Sequence, residues 1–281
     1  MKKITYLLVM LAAGSASAQE ECNLQYDGNG DGAVNVTDVL GVLSEFGEEC
    51  EPVIEYGPCG PDSTVSYHGY DYSLVEIGEQ CWFAENLRTE HYANGDSIPA
   101  NLTDGEWNST TSGALAVYGE DAGCQDNSPY GNACDPAWSL NEYGRLYNWY
   151  AVDDERGLCP MGWHVPTDGE YMTLEMELGM SESEANSGAW RGTDQGTQMK
   201  SSPLDYPSWD GTNASGFSAL AGGFRDSDGY FYGGGDGGFF WSSSPLETYA
   251  WVRYLDSGVT EVYRGTNGFL RNGFSIRCIK D

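Results

Sequence analysis

The chain is 281 residues long and carries 43 acidic against 13 basic side chains, a formal net charge of -30. A surface of that sign repels a phosphate backbone, which sets nucleic acid aside as a partner. Aromatics make up 13% of the residues, glycine occupies 38 positions, and long aliphatic runs at helical spacing are scarce, so the composition argues against a helical bundle and for strands, turns and loops.

Residues 1–18, MKKITYLLVMLAAGSASA, pair a basic start at Lys2 and Lys3 with an apolar stretch and the small-residue site Ala16-Ser17-Ala18. That pattern predicts a signal peptide and an exported protein, extracellular or at the cell surface. Gln19 rather than Cys follows the cut, so no lipid anchor is expected. No later apolar run approaches the roughly 20 residues that span a bilayer. Without the two signal lysines the mature charge is 11 minus 43, or -32.

Counting Asp27 as position 1 of DGNGDGAVNVTD, side-chain oxygens fall at 1, 3, 5, 9 and 12 through Asp27, Asn29, Asp31, Asn35 and Asp38. Ala33 at position 7 offers its backbone carbonyl, and Gly32 supplies the left-handed turn. Oxygen donors at this spacing suit calcium, with affinity on the order of 0.1 to 1 mM. Val36, Val39, Leu40, Leu43 and Phe46 then recur at helical spacing, with Gly47 as the cap. Asp38 stands where an EF-hand has a bidentate Glu, and the loop resembles one dockerin calcium repeat. The resemblance implies a small EF-hand-like loop-helix module over residues 19–50, acting as a calcium-stabilised spacer or as a docking module for another surface protein.

Eight cysteines, an even number, all fall in the mature part, and export makes disulfides the default. Cys22 and Cys50 bracket the calcium module and Cys124 and Cys134 bracket one loop. The other four are expected to pair as Cys59–Cys81 and Cys159–Cys278.

Residues 51–62 concentrate Pro and Gly and read as a linker. Beyond them, apolar residues around Tyr72, Leu74, Val75 and Ile77, a turn at Gly78-Glu79 and then Cys81-Trp82-Phe83 predict hairpins. Residues 101–142 are polar and read as an irregular insertion. Thr167 with Glu170 forms a capping-box pattern opening a helix that Gly179 ends, with Tyr171, Leu174, Met176 and Leu178 as its apolar positions; Ser181 with Glu184 predicts a second, short helix. From Gly216 onward aromatic and small residues alternate as antiparallel strands joined by Gly-rich turns. The fold class is α+β: antiparallel strands, one or two helices and long loops.

The segments EIGEQCWFAENLRTEHYANGDSIP, YGRLYNWYAV, GLCPMGWHVPTDGEY, GFSALAGGFRDSDGYFY, FFWSSS and NGFSIRCIKD, in that order, resemble the Fibrobacter succinogenes major paralogous domain over about residues 65–281. The resemblance implies a domain over residues 63–281 of bacterial origin, with a C-type lectin-like frame related to that of formylglycine-generating enzymes. CPMGW before a helix and a terminal strand at Cys278 are similar to that frame.

Calcium-dependent sugar chelation by such a frame needs Glu-Pro-Asn, Gln-Pro-Asp or Trp-Asn-Asp triplets, and the large domain has none. Stacking faces for sugar rings remain, with Trp107, Trp138, Tyr230, Tyr232 and Trp241 as candidates beside polar residues, and Arg225 as a candidate for a ligand carboxylate. Core packing competes for each aromatic. Asp226, Asp228 and Asp236 read as turn residues before they read as an acid and base pair. Arg225 and Arg277, rare cations in an acidic domain, read as buried ion-pair partners. His68, His91 and His164 have no metal-ligand spacing. The expected function is a non-catalytic secreted or surface module that binds a glycan or a protein; a carbohydrate-active or protein-modifying enzyme and a purely structural surface protein are the alternatives.

Overall fold

The computed structural model describes residues 56–281 except 121–123, 125, 129 and 130. The signal segment, the six calcium-loop positions Asp27, Asn29, Asp31, Ala33, Asn35 and Asp38, and the pair Cys22–Cys50 lie outside the described residues. Residues 56–281 form a unit of their own.

The hairpins begin the domain as the alternation predicts: β1 (Thr64–Tyr67), β2 (Tyr70–Ile77) and β3 (Gln80–Phe83) pair antiparallel. Ile77 faces Gln80 across the Gly78-Glu79 turn, and Gly78 takes φ +58, which glycine adopts at little cost. The polar insertion is more ordered than expected. Within it stand α1 (Asp104–Ser109), closed by a Thr103/Glu106 capping box, then β4 (Leu115–Ala116) and α2 (Pro136–Glu142), capped by Asp135. These caps sit outside long apolar runs, so the periodicity that flags longer helices gives no signal there.

Next come β5 (Leu146–Tyr147), α3 (Trp149–Val152), β6 (Trp163–His164), α4 (Asp168–Glu177), α5 (Glu182–Ala185), β7 (Ala189–Arg191) and α6 (Gln195–Met199). Both predicted capping boxes, Thr167/Glu170 and Ser181/Glu184, are formed. Of the predicted apolar positions of α4, Tyr171 and Leu174 are buried while Met176 is exposed. Six described helices replace the expected one or two, each 4 to 10 residues long.

The C-terminal third supplies β8 (Gly222–Arg225), β9 (Phe231–Gly234), β10 (Gly237–Leu246), β11 (Tyr249–Asp256), β12 (Val262–Phe269) and β13 (Ile279–Lys280). The strands assemble into a five-stranded sheet, β1-β2-β3-β13-β6, a six-stranded sheet, β7-β12-β11-β10-β8-β9, and the pair β4-β5. The described domain is therefore mostly β-sheet with a few short helices. Two details correct the expectation of purely antiparallel strands: β8 runs parallel to β10, and in NGFSIRCIKD only Gly273, Phe274 and Ser275 make isolated bridges before the short β13.

One core joins Tyr72 and Phe83 of the first sheet to Trp241, Val252, Phe274 and Ile276. A second lies between α4 and the sheets, around Trp82, Tyr171, Leu174, Phe217, Phe240 and Leu255. The predicted bridges Cys59–Cys81, Cys124–Cys134 and Cys159–Cys278 all form.

His164 is held between two carboxylates, Nε2 on Glu170 at 2.8 Å and Nδ1 on Asp281 at 2.7 Å. Burial works to lower its pKa, but these two hydrogen bonds outweigh it and raise the group above 6.5. A raised histidine stabilises the fold fully below its unfolded value and loses that contribution as pH rises through the folded value. His164→Gln is therefore expected to remove a decline in Tm that sets in above about pH 6.5, read by thermal melts from pH 5 to 9. A wild-type Tm that is flat over that range contradicts it.

Candidate functional site

In β11 the side chains alternate between two very different surroundings. Arg253 and Leu255 point to α4, while Val252 and Tyr254 point to the other face. Register carries this division across the sheet. Trp190 of β7 lies opposite Tyr263 of β12, Tyr263 opposite Tyr254 of β11, and Tyr254 opposite Phe239 of β10. Phe239 packs on Phe224 of β8 at 4.5 Å between ring centres, and Phe224 lies opposite Tyr232 of β9. Each of the six strands thus contributes one aromatic to a continuous row.

None of the six rings is fully buried. Trp190 and Tyr232, at the two ends, are 38% and 42% exposed. The central Phe239 and Tyr254 stack on each other at 4.2 Å, so they form a floor of ring edges rather than a flat plate. Trp190 tilts against Tyr254 by 50° and stands edge-on to Tyr263. Over this floor runs a trough of about 370 Å³, also lined by Phe269, 52% exposed, by Phe274 and Val252 beneath, and by Asp226 and Asn272. That volume is within the range of small-ligand sites. A Cβ on Gly237 would come within 2.8 Å of Tyr254 and 2.9 Å of Phe239, so glycine there leaves the two rings their positions.

Polar groups at the trough are few. Burial first, and then a hydrogen bond to Asp256, push the Tyr254 hydroxyl well above its ordinary pKa of 10.0, so it stays protonated. Asn272 is 5% exposed and its Oδ1 has no hydrogen-bond partner. A buried acceptor without a donor costs about 1–3 kcal/mol.

The opposite face of the same strands is held by charge. Arg253 donates to Glu175 at 2.6 Å and Asp168 at 2.7 Å, Arg264 donates to Asp168 at 2.7 Å, and Arg191 pairs with Glu175. Trp190-Arg191, Arg253-Tyr254 and Tyr263-Arg264 are adjacent pairs, so period-two alternation sends each arginine inward to α4 and each aromatic outward to the trough. An aromatic next to an arginine on three neighbouring strands was a legible sequence signal; Trp190, Phe224, Phe239, Tyr254 and Tyr263 were nonetheless missed.

The sequence candidates separate. Tyr232 belongs to the row, and Tyr230, 51% exposed, stands in the adjoining Asp226–Tyr230 turn. Trp107 and Trp241 are both 0% exposed, which corrects their assignment as stacking faces. Trp107 lies under the Arg225 guanidinium at 4.5 Å, and the Trp241 indole donates to the Tyr147 carbonyl. Trp138 is half-buried, edge-on to Tyr143, with its indole donating to the Tyr206 hydroxyl. Arg225 is buried and paired with Glu120 at 3.1 Å and Asp104 at 3.4 Å, the structural role and not the ligand one. Arg277, expected in an ion pair, instead donates to Asn86 Oδ1 and to the carbonyls of Phe83, Phe217 and Ser218. Asp226 accepts within a turn and lines the trough; Asp228 and Asp236 receive the carboxamides of Asn108 and Asn127.

A second cleft of about 320 Å³ lies between Glu85, Arg88, Glu142, Asp205, Tyr206 and Asn213. Many of its polar groups already satisfy one another: Glu85 pairs with Arg88 at 2.8 Å and accepts from Ser73, and Asn213 donates to Asp205 and Ser218. Each cleft has one unpartnered buried atom, Arg88 Nε here and Asn272 Oδ1 in the trough, so the exposed rings make the trough the stronger candidate. Among the described residues no helix is long and apolar enough to cross a membrane.

No curated protein and no solved structure matches the chain. The family model described as the Fibrobacter succinogenes major domain matches residues 75–280, which takes in the whole six-stranded sheet with its aromatic row, Asn272, and β3, β6 and β13 of the five-stranded sheet. The chain belongs to the Fibrobacter succinogenes major domain family.

Proposed function

We propose that the protein is a secreted, non-catalytic binding module that recognises a glycan through the aromatic trough of its six-stranded sheet. The carrying observation is the row of six partly exposed rings, one from each strand, above a rigid charged layer that fixes the strands beneath it. Aromatic surface held open to water is costly unless a ligand covers it, and the C–H face of a pyranose is a fitting cover.

The frame is read as C-type lectin-like. Its support is the Cys159–Cys278 bridge, which fastens the CPMGW segment to the end of the chain, and the placement of β13 between β3 and β6. A formylglycine-generating type of oxidation needs a reduced cysteine pair, and every described cysteine is in a disulfide. The N-terminal loop is read as a calcium site, because carboxylate, carboxamide and carbonyl oxygens of Asp27, Asn29, Asp31, Ala33, Asn35 and Asp38 are the donors a hard cation takes. It would brace a spacer or dock the module to another surface protein.

A glycan array probed with the full chain, in millimolar calcium and again with chelator, tests this reading. Binding to a glycan that survives chelation and falls at least tenfold in the Trp190→Ala, Tyr254→Ala double variant is expected. Binding that disappears with chelator, or that the double variant retains in full, overturns the assignment to the trough.

A further inference from the structure

The trough has a chemistry narrower than glycan binding in general. Its charged lining is a single carboxylate, Asp226, with no lysine or arginine among the described residues that form it, and the whole chain carries -30. An anionic chain would approach against both the local and the summed field, with nothing to pair its carboxylates or sulfates.

Ring orientation decides a second point. A flat crystalline surface is matched by coplanar rings. Here the rings turn by 50° between Trp190 and Tyr254, 69° between Trp190 and Tyr263, 51° between Phe224 and Phe239 and 35° between Phe224 and Tyr232. Exposed Trp190 and Phe269 stand in the lining with half-buried Phe239 and buried Phe274 and Val252, and exposed Tyr232 ends the row beyond it. Such relief admits a single chain and rejects a plane. The cavity of about 370 Å³ holds a short stretch of it, on the scale of small-ligand clefts.

The row also lies on the face of the sheet and not along an edge. On the four inner strands the backbone groups are spent on neighbouring strands, so an extended peptide lying across the middle of the row would find no partners for its amides there. A pyranose has no such need. Its apolar face seats on the rings while most hydroxyls stay in water at the open rim. One polar side chain of the lining is short of a partner: the carboxamide of Asn272, whose buried Oδ1 has no donor within the protein.

We propose, resting on the reading of this face as a glycan site, that the trough takes a single chain of a neutral glycan of equatorially substituted pyranoses, with the Asn272 carboxamide hydrogen-bonding one sugar hydroxyl and fixing the chain's position. All-equatorial sugars are the ones whose two faces are both lined by axial C–H groups, which the tilted rings contact whichever way a unit is turned. Asn272 is then the specificity-determining polar residue and the rings the source of affinity.

Affinity gel electrophoresis and titration calorimetry of the full chain test this with four probes: cellohexaose, xylohexaose, an oligogalacturonate, and a suspension of crystalline cellulose. At least one of the neutral hexaoses is expected to bind, with roughly tenfold loss in Asn272→Leu, retention in Asn272→Asp, which keeps an acceptor oxygen, and at least tenfold loss in Trp190→Ala. Tyr206→Ala, in the other cleft, leaves binding unchanged. Melting curves accompany each variant; should Asn272→Leu not fold, the Asn272→Asp result and the probe ranking decide alone. Binding of the uronate alone or of crystals alone, still sensitive to Trp190→Ala, overturns this inference and leaves the glycan reading standing. No binding by any of the four overturns this inference, and a blank glycan array in addition overturns both. Neutral binding that Asn272→Leu leaves untouched in a folded protein removes the role of Asn272.

Discussion

Glu175→Ala is expected to destabilise the domain by about 3–5 kcal/mol, because breaking a buried ion pair leaves uncompensated charge inside the protein. Glu175 is 0% exposed and its carboxylate serves two arginines from different strands, Arg253 and Arg191. Removing it leaves three guanidinium groups, with Arg264, facing Asp168 alone. All three have further partners, Arg191 on the Val262 carbonyl, Arg253 on that of Asp168 and Arg264 on that of Asn186, but carbonyls supply no counter-charge. Glu175→Gln keeps the acceptor oxygen and should cost less than Glu175→Ala. Chemical denaturation checks the order: wild type above Gln above Ala, with the Ala variant within 1 kcal/mol of wild type as the contrary result. Burial acts to raise the Asp168 pKa, but the hydrogen bond from Arg264 and the charge of Arg253 hold it below 3.8. A depressed carboxylate stabilises above its unfolded value, so this contribution is present near neutrality and is lost as pH falls through the folded pKa.

The double variant Cys159→Ala, Cys278→Ala should lose about 4–5 kcal/mol in the chain-entropy account, the largest cost among the described bridges. Its half-cystines are 119 residues apart, against 22 for Cys59–Cys81 and 10 for Cys124–Cys134, and loop-closure entropy grows with the logarithm of that separation. Cys278 is also 0% exposed, so alanine adds a small packing defect. Denaturant midpoints for the three paired double variants give the test. The expected ranking of losses is Cys159/Cys278, then Cys59/Cys81, then Cys124/Cys134; the same loss for all three would mean that unfolded-state entropy does not govern the bridges.

Local chemistry made part of this fold legible. The Gly78 turn, the Thr167/Glu170 and Ser181/Glu184 boxes and the three bridges depend on residues close in sequence or on cysteine pairing, and each appears as expected. Short capped helices inside the polar insertion escaped, since α1 and α2 each bury a single residue, Trp107 and Ser139, and one buried position makes no period to read. The site was mostly illegible. Trp107 and Trp241 drew attention through polar neighbours along the chain, yet what surrounds a side chain in space is set by other segments, the Arg225 guanidinium over Trp107 and Tyr147 beside Trp241. Trp190 lies 73 positions before Tyr263 (263 minus 190), and only strand register sets them side by side.

What the sequence determined by itself is the β-rich class of the domain, its turns, its caps and its covalent ties, because dihedral preference and capping act within a few residues. The tertiary structure alone decided which rings face water. A period-two strand has two faces and nothing local says which is inner; here the buried acids Asp168 and Glu175 of α4 claim Arg191, Arg253 and Arg264, and their neighbours Trp190, Tyr254 and Tyr263 are left on the open side.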